Sequence, residues 1–387
     1  MKIGILTYHH VINDGAVLQT LGHVYTLREL FPEATIEVID YRHATIESIE
    51  RREAFKALIK LKKGAISKIK KYYNFKRFVN DLLPLSKEHC QTDDTAKAVA
   101  FINRQHYDYV IVGSDEVWKI LDRKYARQFP NIYWLPETLT AKRIASAASA
   151  NGSNPKLLEK KDIQEKVKTI VEGFEAIAVR DQYTFDFIHR LGVSTPLYQV
   201  PDPTFGVDWK ADGVKEKLQK VGVDFSRKRF ALNLSSNNPE FAKASEQIQQ
   251  YAKQHNIQLV GIGQYNKYCE LNFSDVLNSL EWATCYQYFD FCVTDRFHST
   301  IFSIKNYVPF MVIESHKKYP GDYKGKILDL LGKIELKNNH FFYQDDIDFS
   351  KKIDLILNEF NVDKFKVITQ KQKETFRQHL ISSFKKE

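Results

Sequence analysis

The chain has 387 residues, of which 43% are hydrophobic and 13% aromatic. This composition is typical of a globular protein and excludes an intrinsically disordered chain, and the length is sufficient for two domains. No apolar run approaches the roughly 18 residues that a membrane-spanning helix requires. The N-terminal segment Met1–Tyr8 turns polar too early for a signal peptide and is predicted to form a strand.

The cysteines favour a reducing compartment. The chain has four of them, Cys90, Cys269, Cys285 and Cys292, and their spacing is not that of a zinc finger. We therefore expect reduced thiols and a cytoplasmic protein. The inner face of the membrane is the alternative location, because of the charge distribution described next.

The net charge of +9 is concentrated in one segment. Between Arg51 and Arg77 there are eleven lysines and arginines but one acid, Glu53, with apolar and aromatic side chains interspersed. A basic, amphipathic helical segment suits an anionic membrane surface or a lipid-linked substrate. The alternative is a solvated helical hairpin over the core. Nucleic-acid binding is disfavoured, because no recognised motif accompanies the charge.

In the N-terminal half, strands alternate with helices, which predicts a parallel sheet with right-handed crossovers. The chain opens with a strand, a loop and a helix, and Gly15 in that loop allows close approach of the backbone to a ligand. The predicted strands are Lys2–Tyr8, Thr35–Tyr41, Tyr107–Val112, Ile144–Ala147, Ala176–Val179 and Tyr198–Val200. The predicted helices are Ala16–Leu30, a basic helical insertion at about 46–83, Thr95–Arg104, Glu159–Glu172 and Gln182–Leu191.

The turn Pro201-Asp202-Pro203 is predicted to end the first domain, after which the alternation restarts. We expect domains at 1–205 and 206–345 and a helical tail at 346–387. The predicted strands of the second half are Phe230–Leu234, Gln258–Ile262, Phe291–Val293 and Phe310–Ile313. The predicted helices are Lys210–Val221, Glu240–His255, Asp275–Trp282, one beginning at Phe297, and Gly325–Leu331.

One strand-to-helix turn in the second half has the composition of an anion site. The strand Phe291–Val293 is followed by Thr294 and Asp295, and a helix with apolar periodicity begins near Phe297. A helix N-terminus at the carboxyl end of a strand favours anions, and Arg296 and His298 lie in this turn. The alternative is that the arginine pairs with the preceding aspartate and the histidine packs under the sheet.

Two turns of the first half carry comparable groups. Gly113, Ser114 and Asp115 follow a strand and place a hydroxyl and a carboxylate at its carboxyl end, although the aspartate could instead cap the next helix. Arg180 follows another strand and precedes a helix, so it occupies the same position in its turn as Arg296 does.

In their order along the chain, these motifs resemble the polysaccharide pyruvyl transferase family. The resemblance spans Ile3 to Leu331, and the Asp-Arg-Phe-His core is its most specific part. The motifs that carry it are Asn13–Gln19, Gly113–Trp118, Val179–Asp181, Val200–Pro203 and Thr294–Ser299. The position after His298, often glycine in the family, is Ser299 here.

The resemblance implies an α/β fold of two Rossmann-like domains facing a cleft, the glycosyltransferase B (GT-B) type, with a C-terminal helical tail. It implies transfer of a pyruvyl group from phosphoenolpyruvate (PEP) to a sugar, giving a pyruvate ketal. Arg180, Arg296, His298 and Asp115 are the matching family residues, with a lysine beyond the histidine. That lysine is assigned to Lys318, in competition with Lys317, Lys324 and Lys326.

We expect His298 and Asp115 to be the catalytic acid and base, with the assignment between them open. The expected substrate-binding residues are Arg180, Arg296, Phe297, Ser299, Lys318, Asn13, Gly15 and Ser114. No cofactor is expected besides PEP as donor substrate, and no metal, because the arginines supply the positive charge. The pair His9-His10 is the exception considered, as a metal ligand or as a loop lining the site.

The expected partners are PEP, a sugar acceptor of a lipid-diphosphate-linked glycan, and a membrane surface, but no nucleic acid. Two other functions share the fold: a nucleotide-sugar glycosyltransferase, and a non-catalytic relative that binds glycans. The acceptor sugar, the hydroxyls that are bridged and the oligomeric state are left open by the sequence.

Overall fold

A computed structural model describes residues 1–59, 65–122, 128–315, 325–344 and 347–384. The chain forms two compact units. Unit 1 comprises Met1–Ala65, Phe75–Val207 and Gln372–Glu387, and unit 2 comprises Ile66–Asn74 and Asp208–Lys371.

The sheet of unit 1 is parallel throughout, in the strand order β2-β1-β5-β6-β7-β8. A separate two-stranded parallel ladder joins β3 and β4. The strands are β1 (Lys2–Leu6), β2 (Thr35–Val38), β3 (Tyr41–Arg42), β4 (Cys90–Gln91), β5 (Tyr109–Val112), β6 (Lys142–Ala148), β7 (Ala176–Val179) and β8 (Leu197–Gln199).

Helices connect these strands, as parallel pairing requires. Leu6 pairs in register with Val112, and Val112 with Ala145, so the loops that follow these strands lie along one edge. The helices up to β8 are α1 (Asp14–Leu30), α2 (Ala44–Ile59), α3 (Ala65–Leu82), α4 (Thr95–Asn103), α5 (Pro155–Leu158), α6 (Lys161–Glu172) and α7 (Gln182–Arg190).

Unit 2 repeats the architecture with a second parallel sheet, in the order β11-β10-β9-β12-β13-β14. Its strands are β9 (Arg229–Asn233), β10 (Gln258–Ile262), β11 (Leu271–Phe273), β12 (Phe291–Thr294), β13 (Phe310–Glu314) and β14 (His340–Phe342). The helices after β8 are α8 (Val214–Lys220), α9 (Pro239–Gln254), α10 (Ser279–Cys285), α11 (Phe297–Lys305), α12 (Lys326–Lys333), α13 (Phe349–Glu359) and α14 (Val362–Phe384). Short 3₁₀ helices occur at Ile132–Trp134, Pro203–Gly206, Tyr286–Tyr288 and Lys337–Asn339.

Each unit has its own apolar core, because strands covered on both faces are apolar throughout. In unit 1 the rings of Trp118 and Trp134 stack at 5.1 Å, and both are fully buried. In unit 2 Phe230 and Phe291, on neighbouring strands, pack at 5.1 Å. These cores hold the strands rigidly, so the loops at the carboxyl ends of the strands have fixed starting positions.

The predicted alternation of strands and helices is present in both units. Four short strands were not predicted, namely β3, β4, β11 and β14, and each has only two or three residues. Such segments are too short to show a periodic pattern. Among the described residues, no helix is long and apolar enough to cross a bilayer.

Candidate functional site

Most of the described predicted site residues lie near the point where each sheet reverses its strand order, whereas Arg180 follows β7, away from that point. In unit 1 the chain adds β2 on one side of β1 and later adds β5 on the other. In unit 2 it adds β10 and β11 on one side of β9, and β12 to β14 on the other. Ligands of open α/β sheets bind outside the carboxyl ends of the strands at such switch points. The loops after β1, β5, β9 and β12 are therefore the candidate ligand-binding positions.

The loop after β5 holds Asp115 in a constrained backbone conformation. Gly113 has a φ of 123°, and a Cβ atom there would lie 2.1 Å from the carbonyl oxygen of Ser146, so only glycine fits. Asp115 itself has a φ of 75°, which is uncommon for a residue with a side chain. Its carboxylate is 18% exposed and accepts a hydrogen bond from the backbone N–H of Glu116 at 2.8 Å. Constrained backbone of this kind is often found at functional sites.

Arg180, which follows β7, points into a buried acidic environment. Its Nη1 lies 2.9 Å from Oδ2 of Asp202, and its Nη2 lies 3.8 Å from Oδ1 of Asp115. Burial alone lowers the pKa of the Arg180 guanidinium, but the carboxylates of Asp202, Asp115 and Asp181 offset this, and the pKa lies above its ordinary value. The guanidinium therefore stays charged and attracts the Asp115 carboxylate.

Asp202 holds this arginine in place. Its Oδ1 accepts hydrogen bonds from the N–H of Thr204 at 3.0 Å and from the hydroxyl of the same residue at 2.7 Å. Its Oδ2 accepts from Arg180 and also from Nε2 of Gln19 on helix α1. The carboxylate thus ties the loop after β8 to both α1 and β7. This arrangement favours Arg180 as a residue that positions Asp115, over the predicted contact with PEP.

The loop after β1 contains the other predicted residues of unit 1. The side chain of Asn13 accepts from the N–H of Gly15 at 3.0 Å and so caps helix α1. Glu50 on α2 accepts from the N–H of Ile12 at 3.0 Å, and burial raises the pKa of the Glu50 carboxyl to about 7. Ser114, on the adjacent loop, is fully buried, and its carbonyl oxygen accepts from the hydroxyl of Thr7 at 3.3 Å.

In unit 2, Arg296 lies at the N-cap of α11, and its side chain is 51% exposed. Its Nε contacts Oδ1 of Asp295 at 3.0 Å, the pairing considered as the alternative for this turn. Helix α11 has no side-chain cap hydrogen bond at its N-terminus, where backbone N–H groups have no partner within the helix itself. An exposed guanidinium beside uncapped amides is an arrangement that binds anions.

Ser299 lies in the first turn of α11, but its hydroxyl is directed toward the sheet. The residue is fully buried, and its Oγ accepts from Nδ2 of Asn233 and from the hydroxyl of Tyr286, each at 2.8 Å. Asn233 is the last residue of β9, so this network attaches the start of α11 to the neighbouring strand. The contacts favour a structural role for Ser299 over the predicted contact with substrate.

Phe297 and His298 lie beside Arg296. The Phe297 ring is buried, lies 5.3 Å from the His298 ring, and has Nζ of Lys326 over its face at 5.4 Å. Lys326 was a competing candidate for the predicted lysine, and it is the one of the four that lies within the described residues. The other candidates, Lys317, Lys318 and Lys324, lie outside the described residues.

Several residues near these turns were not predicted from the sequence, among them Asn233, Tyr286 and Glu50. A polar residue at the end of an apolar strand, as in Phe230-Ala231-Leu232-Asn233, was the available signal. No comparable signal marked Glu50, which lies within helix α2, just before the basic segment. Within the described part of the chain, no group of three or more His, Cys, Asp or Glu side chains could hold a metal ion.

We predict that Asp202→Asn lowers the free energy of unfolding by about 3–5 kcal/mol, because it removes the closest counter-charge of a buried arginine. The measurement is urea unfolding, followed by tryptophan fluorescence. Glu172→Gln is the control: its pair with Lys168 is 3.9 Å long, with side chains 38% and 44% exposed. That variant should change stability by less than about 1 kcal/mol. Equal effects of the two substitutions would contradict the organising role of Asp202.

Known structures with this fold are distant in sequence. A putative UDP-N-acetylglucosamine 2-epimerase from Listeria monocytogenes is 10% identical, with a TM-score of 0.58, and the match covers 99% of this chain and 95% of that one. The UDP-GlcNAc 2-epimerase from Methanocaldococcus jannaschii is 11% identical, with a TM-score of 0.58 and complete coverage of both chains. A spinosyn forosaminyltransferase is 9% identical, with a TM-score of 0.50, covering 99% of this chain and 98% of that one.

These likenesses confirm the predicted fold class, two Rossmann-like units of the GT-B type with a helical C-terminal end. The cleft between the units stays a prediction. No curated protein sequence matches the chain significantly. A sequence model of the family described as polysaccharide pyruvyl transferase matches residues 13–317, most of the chain, including the turns described above. The chain therefore belongs to the polysaccharide pyruvyl transferase family.

Proposed function

We propose that this protein transfers the three-carbon unit of PEP to two hydroxyls of a glycan sugar, forming a pyruvate ketal and releasing phosphate. The observation that carries the proposal is the turn after β12. There the half-exposed Arg296 and the adjacent His298 lie at the start of α11, at the carboxyl edge of a sheet. This helix has no side-chain cap hydrogen bond. The match to the family supports the same activity.

PEP suits this turn because it carries a phosphate and a carboxylate. An arginine can bind either group through two parallel N–H donors, and a helix N-terminus adds backbone donors and a favourable dipole. The pair with Asp295 is partly exposed, so Arg296 can exchange it for the substrate at little cost. Lys326, above the Phe297 ring, contributes a further positive charge at the same turn.

The reaction needs two proton transfers and one bond cleavage. A proton is added to C3 of PEP, one sugar hydroxyl attacks C2, the C2–O bond to phosphate breaks, and the second hydroxyl attacks C2. The two hydroxyls together lose two protons. One of these protons is the equivalent of the proton added to C3, and the other ends on the released phosphate. We assign His298 as the acid and Asp115 as the base for the acceptor hydroxyl, because an imidazole can donate a proton and a carboxylate can accept one.

Arg180 enters this scheme as a positioning residue. Its buried charge lies 3.8 Å from Asp115 and orients that carboxylate, and Asp202 keeps the guanidinium from moving toward solvent. The scheme uses PEP as the donor and needs no other cofactor, because side chains relay the protons and supply the positive charge.

We further propose a lipid-diphosphate-linked acceptor at an anionic membrane surface. The support is the basic segment between Arg51 and Arg77, which has eleven basic residues and one acid. Its described residues include an exposed set on α2 and α3, namely Arg51, Arg52, Lys70 and Arg77. Each such residue near an anionic surface contributes on the order of 1 kcal/mol of attraction.

We predict that Arg296→Ala lowers kcat/KM for PEP at least about a hundredfold, because it removes the main exposed positive charge of the turn. The measurement is phosphate release from PEP across a panel of sugar acceptors, with mass spectrometry of the product. Arg227→Ala is the control, since Arg227 precedes β9 and lies at the other edge of the same sheet. Unchanged turnover in the Arg296 variant would remove this residue from the site. Release of UDP from UDP-N-acetylglucosamine, with no effect of PEP, would instead support a nucleotide-sugar glycosyltransferase.

For the membrane proposal, we predict that replacing Arg51, Arg52, Lys70 and Arg77 by Gln abolishes co-sedimentation with liposomes that contain phosphatidylglycerol. The matched control replaces four exposed lysines around helix α6 by Gln, namely Lys156, Lys160, Lys161 and Lys166. It removes the same charge elsewhere and should retain binding. Equal loss in both variants would mean that only the net charge matters, and unchanged binding in the first would exclude the basic segment as a membrane contact.

A further inference from the structure

The loop after β1 carries a polar cluster that the scheme above does not use. It lies at the switch point of unit 1, between the carboxyl ends of β1 and β2, and β5 with Asp115 lies on the other side of β1. We call it the β1–β2 cluster, and its members are His9, His10, Asp40, Arg42 and Lys76.

Most charges of the β1–β2 cluster are satisfied within the protein. Asp40 accepts from Nε and Nη2 of Arg42 at 2.7 and 3.0 Å, and Nε2 of His9 lies 3.2 Å from its Oδ1. Burial alone would raise the pKa of the Asp40 carboxyl, but the hydrogen bonds from His9 and Arg42 hold it below its ordinary value. Lys76 pairs with Glu47 on α2. An anion would therefore find little unbalanced positive charge in this cluster.

His10 is the exception. Its side chain is almost completely buried, at 3% exposure, with its ring 5.3 Å from that of His9. Neither of its ring nitrogens has a hydrogen-bond partner within the described residues, whereas both ring nitrogens of His9 face oxygen atoms, on Thr7 and Asp40. Buried polar atoms in native proteins are nearly always paired, so an unpaired buried imidazole calls for a ligand.

The surroundings of His10 define the kind of ligand. Burial, followed by the charges of His9, Arg42 and Lys76, lowers the pKa of the His10 imidazole well below its ordinary value. A neutral imidazole offers one N–H donor and one acceptor nitrogen, which matches hydroxyl groups. The side chains of Arg42 and Lys76 are 23% and 25% exposed, so the cluster reaches the surface at this rim.

We propose that His10 binds the acceptor sugar, with its two ring nitrogens engaging sugar hydroxyls. The inference rests on the proposed function, since it supplies a binding group for the glycan that the transfer requires. Its location supports it, because the loop after the neighbouring strand β5 carries Ser114 and Asp115, the residue assigned as base for a sugar hydroxyl. Ion-paired Asp40 and Arg42 supply further acceptors and donors of the kind that recognise sugars.

The test is His10→Leu, which removes both ring nitrogens but keeps an apolar side chain of similar size. We expect the KM of the acceptor to rise at least about tenfold, as the loss of hydrogen bonds to a buried group would give, with the KM of PEP unchanged. His10→Gln, which keeps a donor and an acceptor, should restore part of the acceptor affinity.

A second readout does not depend on turnover. Saturation-transfer NMR should detect binding of methyl glycosides of galactose, mannose or N-acetylglucosamine to the wild-type protein, and the signal should be lost in His10→Leu. The matched control is His43→Leu, which removes a buried imidazole of the same unit that already has a partner, Asp93 at 2.7 Å from its Nδ1. The control should lose thermal stability but retain glycoside binding and acceptor KM.

The outcomes separate this inference from the proposed function. Glycoside binding that requires His10, without phosphate release from PEP, would support the inference and contradict the pyruvyl transfer. Phosphate release with an unchanged acceptor KM in a folded His10→Leu protein would overturn the inference and leave the transfer intact. Absence of glycoside binding to the wild type would also overturn it.

Discussion

The buried contact between Arg180 and Asp202 is the interaction on which the edge of unit 1 depends. A guanidinium out of water is stable only with a charged partner, and this one is held at 2.9 Å. The same carboxylate bonds to Gln19 on α1 and to Thr204, so three separate segments of the chain meet at one group. The arginine then faces Asp115 from a fixed position. The catalytic scheme needs this fixed charge because it orients the Asp115 carboxylate.

Unit 2 uses an arginine in the same local position for a different purpose. Arg180 and Arg296 each follow a parallel strand and precede a helix, yet the first is buried and the second has a half-exposed side chain. The difference arises from partners that are distant along the chain, since Arg180 lies close to Asp202 and Asp115. Among the ion pairs of the described residues, Arg296 contacts only its neighbour Asp295. The buried arginine organises the protein, and the exposed one is available to an anion.

The sequence predicted the fold well where the local pattern was strong. The strands β7 and β10 occur at their predicted bounds because each is a short apolar run between polar residues. The motifs also located the turns with Asp115, Arg180 and Arg296. Sequence alone could not show that Arg180 forms an internal ion pair with Asp202, or that Ser299 forms a hydrogen bond with Asn233. The two partners of each contact are far apart along the chain. The His10 environment was hidden for the same reason.

In the proposed reaction the protein transfers the three-carbon unit of PEP and not its phosphoryl group. The most direct test uses PEP with a heavy oxygen isotope at the position that bridges carbon and phosphorus, incubated with the protein and an acceptor sugar. Mass spectrometry then locates the label. We expect the heavy oxygen to leave with inorganic phosphate, because the proposed reaction breaks the C2–O bond. Label retained in the three-carbon product would mean that the bond to phosphorus breaks instead, which would contradict it.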